Sequence, residues 1–353
     1  MRWRPGQGRK DAAGLESCPV PGRDFGILAR MTPGVSVVLR EARGRVELER
    51  GPAGEPGPGQ VRLRMEACGL CNSDLFVCGL AKLPLAPLRL GHEGIGRIEA
   101  VGVETGEWRP GDRAGITFLG TTCGTCEWCA SGRKRFCPKQ TNFGYTLQGA
   151  LGDRVLVPAA GLVRVPEDLA AEVAAPLCCA GWTAYGALRE AGLEPGQTVA
   201  LFGFGGLGHL ALQMALHRGL RAAVVDPSPE KAAAARAAGA TAEPRHADAA
   251  IVLTAAAGAI PEAFRTLRRN GRLVLVGLAT ASYELPLVDT ILKGIEIRGS
   301  YLGTGADLES VFALAREGVL RPQVHTHAVE ETPELLERLR RGELSGRAVI
   351  QFC

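Results

Sequence analysis

Hydrophobic positions along the chain fall into two regimes. From residue 35 to about residue 161 they form short β-branched or alternating runs broken by glycine and proline. Residues 35–39 (VSVVL) and 46–49 read as strands, and 51–59 (GPAGEPGPG) as a turn-rich connector. Residues 60–66 (QVRLRME) alternate apolar and polar side chains, the period of two that a half-buried strand imposes. No long amphipathic stretch occurs before residue 172, where the spacing turns helical through 190. The first regime therefore predicts an irregular, β-rich domain.

In the second regime, apolar strands at 198–202 (TVALF), 222–225, 249–253 and 272–276 (RLVLV) alternate with helical patterns at 207–218, 229–238 and 259–269. Strands alternating with helices predict a parallel, doubly wound sheet with helices on both faces. Beyond residue 306 follow two amphipathic helices and a closing strand at 348–352. The expected fold class is thus α/β, a β-rich domain joined to a doubly wound one.

Composition adds exclusions. At 353 residues there is room for two domains, and 46% hydrophobic with 22% charged residues is ordinary for a globular protein. Most of the net charge of +4 sits in residues 1–30, so the body lacks the basic patch that nucleic-acid binding needs. Those residues are rich in Gly, Pro and charge and read as a loose extension, with Met31 an alternative start. They contain no apolar core of a secretory signal, and their acidic residues argue against a transit peptide. No apolar run reaches the 18 residues of a membrane span, so a cytoplasmic protein is expected.

The first chemical motif is VALFGFGGLGHLALQMA, with Gly203, Gly205 and Gly208 in G-x-G-x-x-G spacing between a strand and a helix. Gly203 permits the tight turn, and Gly205, followed by Gly206 and Leu207, lets backbone approach a pyrophosphate. Gly208 lets the helix pack against the strand, and the helix N-terminus offers free N–H groups to phosphate. Asp226 ends the next apolar strand, 18 residues after Gly208. A carboxylate there accepts hydrogen bonds from ribose hydroxyls and repels a 2′-phosphate, which favours NAD over NADP. Lys231, five residues on, is expected to reach the same ribose.

The second is cysteine clustering. Of eleven cysteines, Cys123, Cys126, Cys129 and Cys137 lie within 15 residues. Four thiolates at this spacing suit a closed tetrahedral structural zinc, with an iron–sulfur cluster as the other metal reading. Cys68 and Cys71 also read as a redox pair or two buried thiols, and His92 on its own reads as a structural histidine; composition alone does not select among them.

The motifs ACGLCNSD, LGHEGIGRIEAVG, the four-cysteine segment, PLCCAGWTAYGAL, GFGGLGH, VVD, VLVGL and SGRAVI together resemble the zinc-containing alcohol dehydrogenases of the medium-chain dehydrogenase/reductase family over about residues 34–353. The resemblance implies a GroES-like catalytic domain (31–180 and 303–353, with a structural-zinc lobe at about 118–140) and a Rossmann NAD-binding domain (181–302). It implies two zinc ions per chain, NAD, a small alcohol or aldehyde substrate, and a homodimer or homotetramer. Cys71, His92 and Cys179 would ligate a catalytic zinc, Cys179 being preferred to Cys178 because it begins the CAG match. Asp74 and Glu93 would support those ligands from behind. Ser73 would take the substrate proton, Thr183 and Val276, Gly277 and Leu278 would meet the nicotinamide, and Arg347 the pyrophosphate. The implied reaction is reversible hydride transfer between alcohol and NAD, zinc acting as Lewis acid on the substrate oxygen.

Two positions depart from the family pattern. Asn72 stands where many members carry a basic residue on the pyrophosphate, and Phe76 where many carry a histidine ending a proton relay. These leave room for an NADP-linked reductase of an activated carbonyl or iminium, and a non-catalytic use of the fold is the reading from another class. Phe118, Leu119 and Trp182 read either as pocket walls or as ordinary core packing.

Overall fold

The computed structural model describes residues 34–278 and 282–352; the extension at 1–30 and Met31 fall outside the described residues. The chain begins β1 (Gly34–Leu39), β2 (Val46–Gly51), β3 (Gln60–Gly69), α1 (Asn72–Cys78), β4 (Leu88–Arg89), β5 (Gly94–Val101), β6 (Arg113–Ile116), α2 (Glu127–Ala130), β7 (Arg154–Pro158) and β8 (Leu162–Arg164). Then come α3 (Ala171–Pro176), α4 (Trp182–Ala191), β9 (Thr198–Phe202), α5 (Gly208–His217), β10 (Arg221–Val225), α6 (Pro229–Ala237), β11 (Ala247–Val252), α7 (Ala259–Thr266) and β12 (Leu267–Leu275). It closes with α8 (Leu287–Lys293), β13 (Glu296–Gly299), α9 (Gly305–Arg316), β14 (Val324–His327), α10 (Thr332–Arg340) and β15 (Arg347–Gln351).

The alternation seen in residues 60–66 is realised in β3, where Val61, Leu63 and Met65 point into the core. Its partner β5 lies antiparallel, and β6, β7, β8, β14 and β15 complete a seven-stranded sheet. The last strands thus return to the sheet begun by β3, and β15 pairs directly with the residues preceding Cys71.

The second sheet is parallel, in the order β10-β9-β11-β12-β13. Its topology reverses between β9 and β11, and such a switch point opens a crevice beyond the carboxyl ends of those strands.

Three expectations needed correction. The helical pattern at 172–190 is two α-helices joined by a π-helical turn, Leu177–Gly181. Pro176 has no N–H to give at the junction, and the wider turn lets the cysteines project differently from a regular helix. The helix expected through 269 stops at Thr266: Leu267 is extended and already pairs with Ala247. Burying Leu267 in the sheet core outweighs continuing a helix into the polar, glycine-containing RRNG segment. The third is an omission: α8, β13 and β14 lie where no element was expected, and α8 and β13 bury no residue.

Candidate active site

Three chain segments converge where β3, the β4–β5 bend and the π turn meet. Cys71 precedes α1, and its backbone N–H donates to Asp74 Oδ2 at 2.9 Å. His92 follows Gly91, whose φ of +94° and close contact with Leu151 admit no side chain without strain. Cys179 projects from the π turn. One ligand atom each of Cys71, His92, Glu93 and Cys179 lies within 4.8 Å of the others, and all four residues are buried.

The histidine shows what the cluster is built for. Its Nδ1 sits 3.3 Å from Asp74 Oδ1, which fixes the ring, while buried Nε2 has no partner among the described residues. An orphaned imidazole nitrogen beside two sulfurs is a poor way to end a core and a good way to begin a metal site. The donor set therefore fits a zinc ion with three protein ligands. The two thiols share one hydrogen bond: that bond from Cys179, helped by His92, pulls the Cys71 thiol well below its usual range, while Cys179 is pushed up. Burial lowers the His92 pKa, but Asp74 and Cys71 outweigh it and hold it high. Cys68 and Cys178 lie outside the cluster, and burial pushes both thiols up.

Asp74 and Glu93 have different partners. Asp74 faces the histidine. Glu93 accepts from Arg347 Nη2 on both its oxygens, with both side chains buried. Burial pushes the Glu93 carboxyl up, while the guanidinium it faces pulls it down. A Cβ at Gly69 would lie 2.1 Å from Glu93 Oε2, and one at Gly206 would lie 2.5 Å from Arg347 Nη1. Glycine at both places lets a single ion pair bridge the cysteine–histidine cluster and the glycine-rich turn.

That turn lies at the switch point. Gly203 has φ +100° beside Thr254, and a Cβ at Gly208 would lie 2.0 Å from Gly203 O, so only glycine permits α5 to start there. Gly205 is open on its Cβ side, and Leu207 is the N-cap residue. Asp226, just past β10, accepts the Phe204 N–H at 2.7 Å and the Ser228 N–H at 3.0 Å. It therefore clamps the turn to the strand end. Lys231 lies in the first turn of α6, whose cap Ser228 accepts its N–H. Val276, Gly277 and Leu278 follow β12, with Gly277 packed on the Thr254 carbonyl and Leu278 exposed. Asn72 and Ser73 open α1, next to Cys71, and Thr183 is second in α4.

The four-cysteine lobe closes on itself. Sulfur separations are 3.5 Å for Cys123–Cys137, 3.6 Å for Cys126–Cys129 and 3.9 Å for Cys123–Cys129. Four thiolates around zinc at about 2.3 Å lie about 3.8 Å apart, so these distances suit a tetrahedron and exclude disulfides. Backbone N–H groups of Thr125 and then Cys126 hold the Cys123 thiol at about 6.

Of the expected walls, Phe118 packs edge-on against His92 at 5.3 Å between centroids, and Leu119 bridges to Asn142. Trp182 takes the core alternative. Its indole is buried in the core and donates to the Thr304 carbonyl, because Gly303 leaves room for it. Phe76 is 41% exposed. Sequence reasoning missed Tyr301, Asn142 and Gln140, which gather behind Phe118. They belong to no motif, and the only available hint was a tyrosine in an otherwise polar crossover segment.

Comparison with known proteins agrees with this geometry. Residues 57–167 match the family described as the alcohol dehydrogenase GroES-like domain. An alcohol dehydrogenase of Geobacillus stearothermophilus is 36% identical over 337 residues, spanning 90% of this chain and 98% of the relative. One from Rhizobium meliloti (strain 1021) is 35% identical over 334 residues, spanning 90% and 98%. Among solved structures, acetophenone reductase from Geotrichum candidum in complex with NAD superposes with a TM-score of 0.82 at 28% identity, covering 91% of this chain and 97% of that one. The alcohol dehydrogenase of Aeropyrum pernix gives a TM-score of 0.81 at 28% identity, covering 90% and 99%. Among the described residues, no helix is long and apolar enough to cross a membrane.

Proposed function

The chain belongs to the alcohol dehydrogenases of the medium-chain dehydrogenase/reductase family, an oxidoreductase for alcohols and aldehydes, and from that premise we propose that it is zinc-dependent and uses NAD(H). The observation that carries the proposal is the unpartnered His92 Nε2 grouped with the Cys71 and Cys179 sulfurs. When bound there, zinc supplies Lewis-acid polarisation of the substrate oxygen and the nicotinamide accepts or gives the hydride. Cys71, His92 and Cys179 hold the ion; Asp74 fixes the imidazole's orientation. Ser73, two residues past Cys71 and half-buried, passes the hydroxyl proton.

The pyrophosphate rests on the turn from Gly203 to Gly208 at the head of α5, with Arg347 beneath Gly206, and Asn72 at the start of α1 offers it an uncharged hydrogen bond. Asp226 keeps acceptor capacity beyond the two N–H groups it already binds, which suits ribose hydroxyls and opposes a 2′-phosphate. Thr183, Val276, Gly277 and Leu278 border the nicotinamide, and Lys231 the adenosine ribose. The lobe of Cys123, Cys126, Cys129 and Cys137 holds a second, structural zinc. The division into a catalytic domain (31–180 and 303–353) and a nucleotide domain (181–302) is supported by β14 and β15 joining the first sheet.

We also infer self-association. In α8, Leu287, Val288, Ile291 and Leu292 are each more than 60% exposed, beside the unpaired outer edge of β13. An apolar helix next to an open edge strand suits a second copy about a two-fold axis, strand to strand. The test of the catalytic reading is formation of reduced nicotinamide from a panel of alcohols with NAD. Parent activity that His92→Ala abolishes supports it; activity surviving His92→Ala overturns it.

A further inference from the structure

Behind the cleft, a small polar network connects two parts of the molecule that the proposed reaction treats separately. Gln140 lies three residues past Cys137; its backbone N–H donates to the Cys137 carbonyl at 3.1 Å and its Nε2 to the Arg135 carbonyl at 2.8 Å. Its orientation is therefore set by the cysteine lobe. The remaining oxygen, Oε1, accepts the Tyr301 hydroxyl at 3.1 Å and Asn142 Nδ2 at 3.3 Å. Asn142 Nδ2 also lies 3.3 Å from the Tyr301 hydroxyl and 3.5 Å from the Phe118 carbonyl.

The apolar half of the same tyrosine looks the other way. Its ring meets Phe118 edge-on, 6.5 Å between centroids at 87°, and Phe118 in turn meets His92 at 5.3 Å and 80°. Tyr301 thus has one polar tip anchored to the lobe and one ring leaning on the aromatic wall of the cleft. Two aromatic edge contacts in series hold a side chain only as firmly as its far end is held.

We propose that Tyr301 is a positioning residue that sets the width of the substrate pocket: its hydroxyl, held by Gln140 and Asn142, fixes Phe118 against His92. Small alcohols that touch only the reacting centre ignore this wall. Aromatic alcohols rest on it, so their binding depends on it. The lobe then has a second consequence besides stability, because Gln140 carries its geometry to the pocket.

The test uses Tyr301→Phe, Gln140→Leu and the double variant in the full-length protein. Each single variant raises KM for benzyl alcohol about fivefold, the size of one hydrogen bond, with kcat and the KM for ethanol within about twofold. The double variant falls well short of the sum of the two, because both changes remove the Tyr301–Gln140 bond. A second readout needs neither turnover nor metal. The ring C–H resonances of His92 sense the Phe118 ring 5.3 Å away, and in metal-stripped Tyr301→Phe they move by more than a linewidth from their parent positions in heteronuclear NMR spectra. The inference uses the proposed chemistry only to interpret KM, so the NMR result stands even if that chemistry is wrong. Equal KM changes for both alcohols, fully additive single effects, or unmoved His92 resonances would each overturn it.

Discussion

Arg347 places a single nitrogen, Nη2, on both carboxylate oxygens of Glu93, and the pair is buried between the metal-ligand cluster and Gly206 of the glycine-rich turn. Removing one partner leaves the other charge buried and unpaired, which costs about 3–5 kcal/mol. Arg347→Met is expected to lose that much in denaturant unfolding. Glu93→Leu combined with Arg347→Met should recover most of it, since an apolar pair suits the same space. Cofactor affinity separates the roles: both variants should bind NAD at least tenfold more weakly by fluorescence titration, as the loss of a charge-assisted contact implies. Unchanged NAD binding in Arg347→Met would confine this residue to structure.

Asp226 offers a second separation. Its two backbone hydrogen bonds organise the turn, while its charge opposes a 2′-phosphate. Asp226→Ala should raise the ratio of kcat/KM with NADP to that with NAD by about 10–100-fold, roughly 1.4–2.7 kcal/mol. Some of the change will be loss with NAD, because the Phe204 and Ser228 N–H groups lose their acceptor. A ratio that does not move would place cofactor choice elsewhere.

Phe76 stands, partly exposed, where the resemblance expects the last member of a proton relay. A phenyl group passes no proton, so alcohol oxidation by the parent should depend on high pH. Phe76→His should shift the rising limb of the pH–rate profile down by about one unit. Superimposable profiles would show that protons leave by another route.

The parallel sheet contributes a pH dependence of its own. Asp248 accepts the Thr198 N–H at 2.8 Å and an Arg268 hydrogen bond at 2.6 Å. Burial alone would raise its pKa, but these partners hold it below the ordinary 3.8. A carboxylate depressed in the folded state contributes stability that is complete above its unfolded value and lost as pH falls through the folded one. Asp248→Asn should therefore cost about 1–2 kcal/mol at neutral pH and much less at pH about 3, read from denaturant midpoints. An equal cost at both would contradict the assignment.

How much of this was legible in the sequence depended on whether a residue's role was local. The turn at Gly203–Gly208 was readable because strand, glycines and helix are contiguous and each glycine answers a local steric demand. The four-cysteine lobe was readable for the same reason. Cys71, His92 and Cys179 come from three distant segments, and only resemblance to a family singled them out. The Glu93–Arg347 pair spans 254 residues, and Arg347 read only as a cofactor contact. Tyr301 and Asn142 meet across 159 residues without a motif. The exposed helix α8 was invisible because its pattern answers to no core of this chain.

The central claim is that the Cys71, His92 and Cys179 side chains hold a metal ion separate from that of the cysteine lobe. Elemental analysis of the purified protein beside its His92→Ala variant tests it most directly. About two zinc ions per chain in the parent and about one in the variant is the expected result, since each site binds one ion. Equal zinc in both proteins would contradict the account, whatever the nucleotide domain binds.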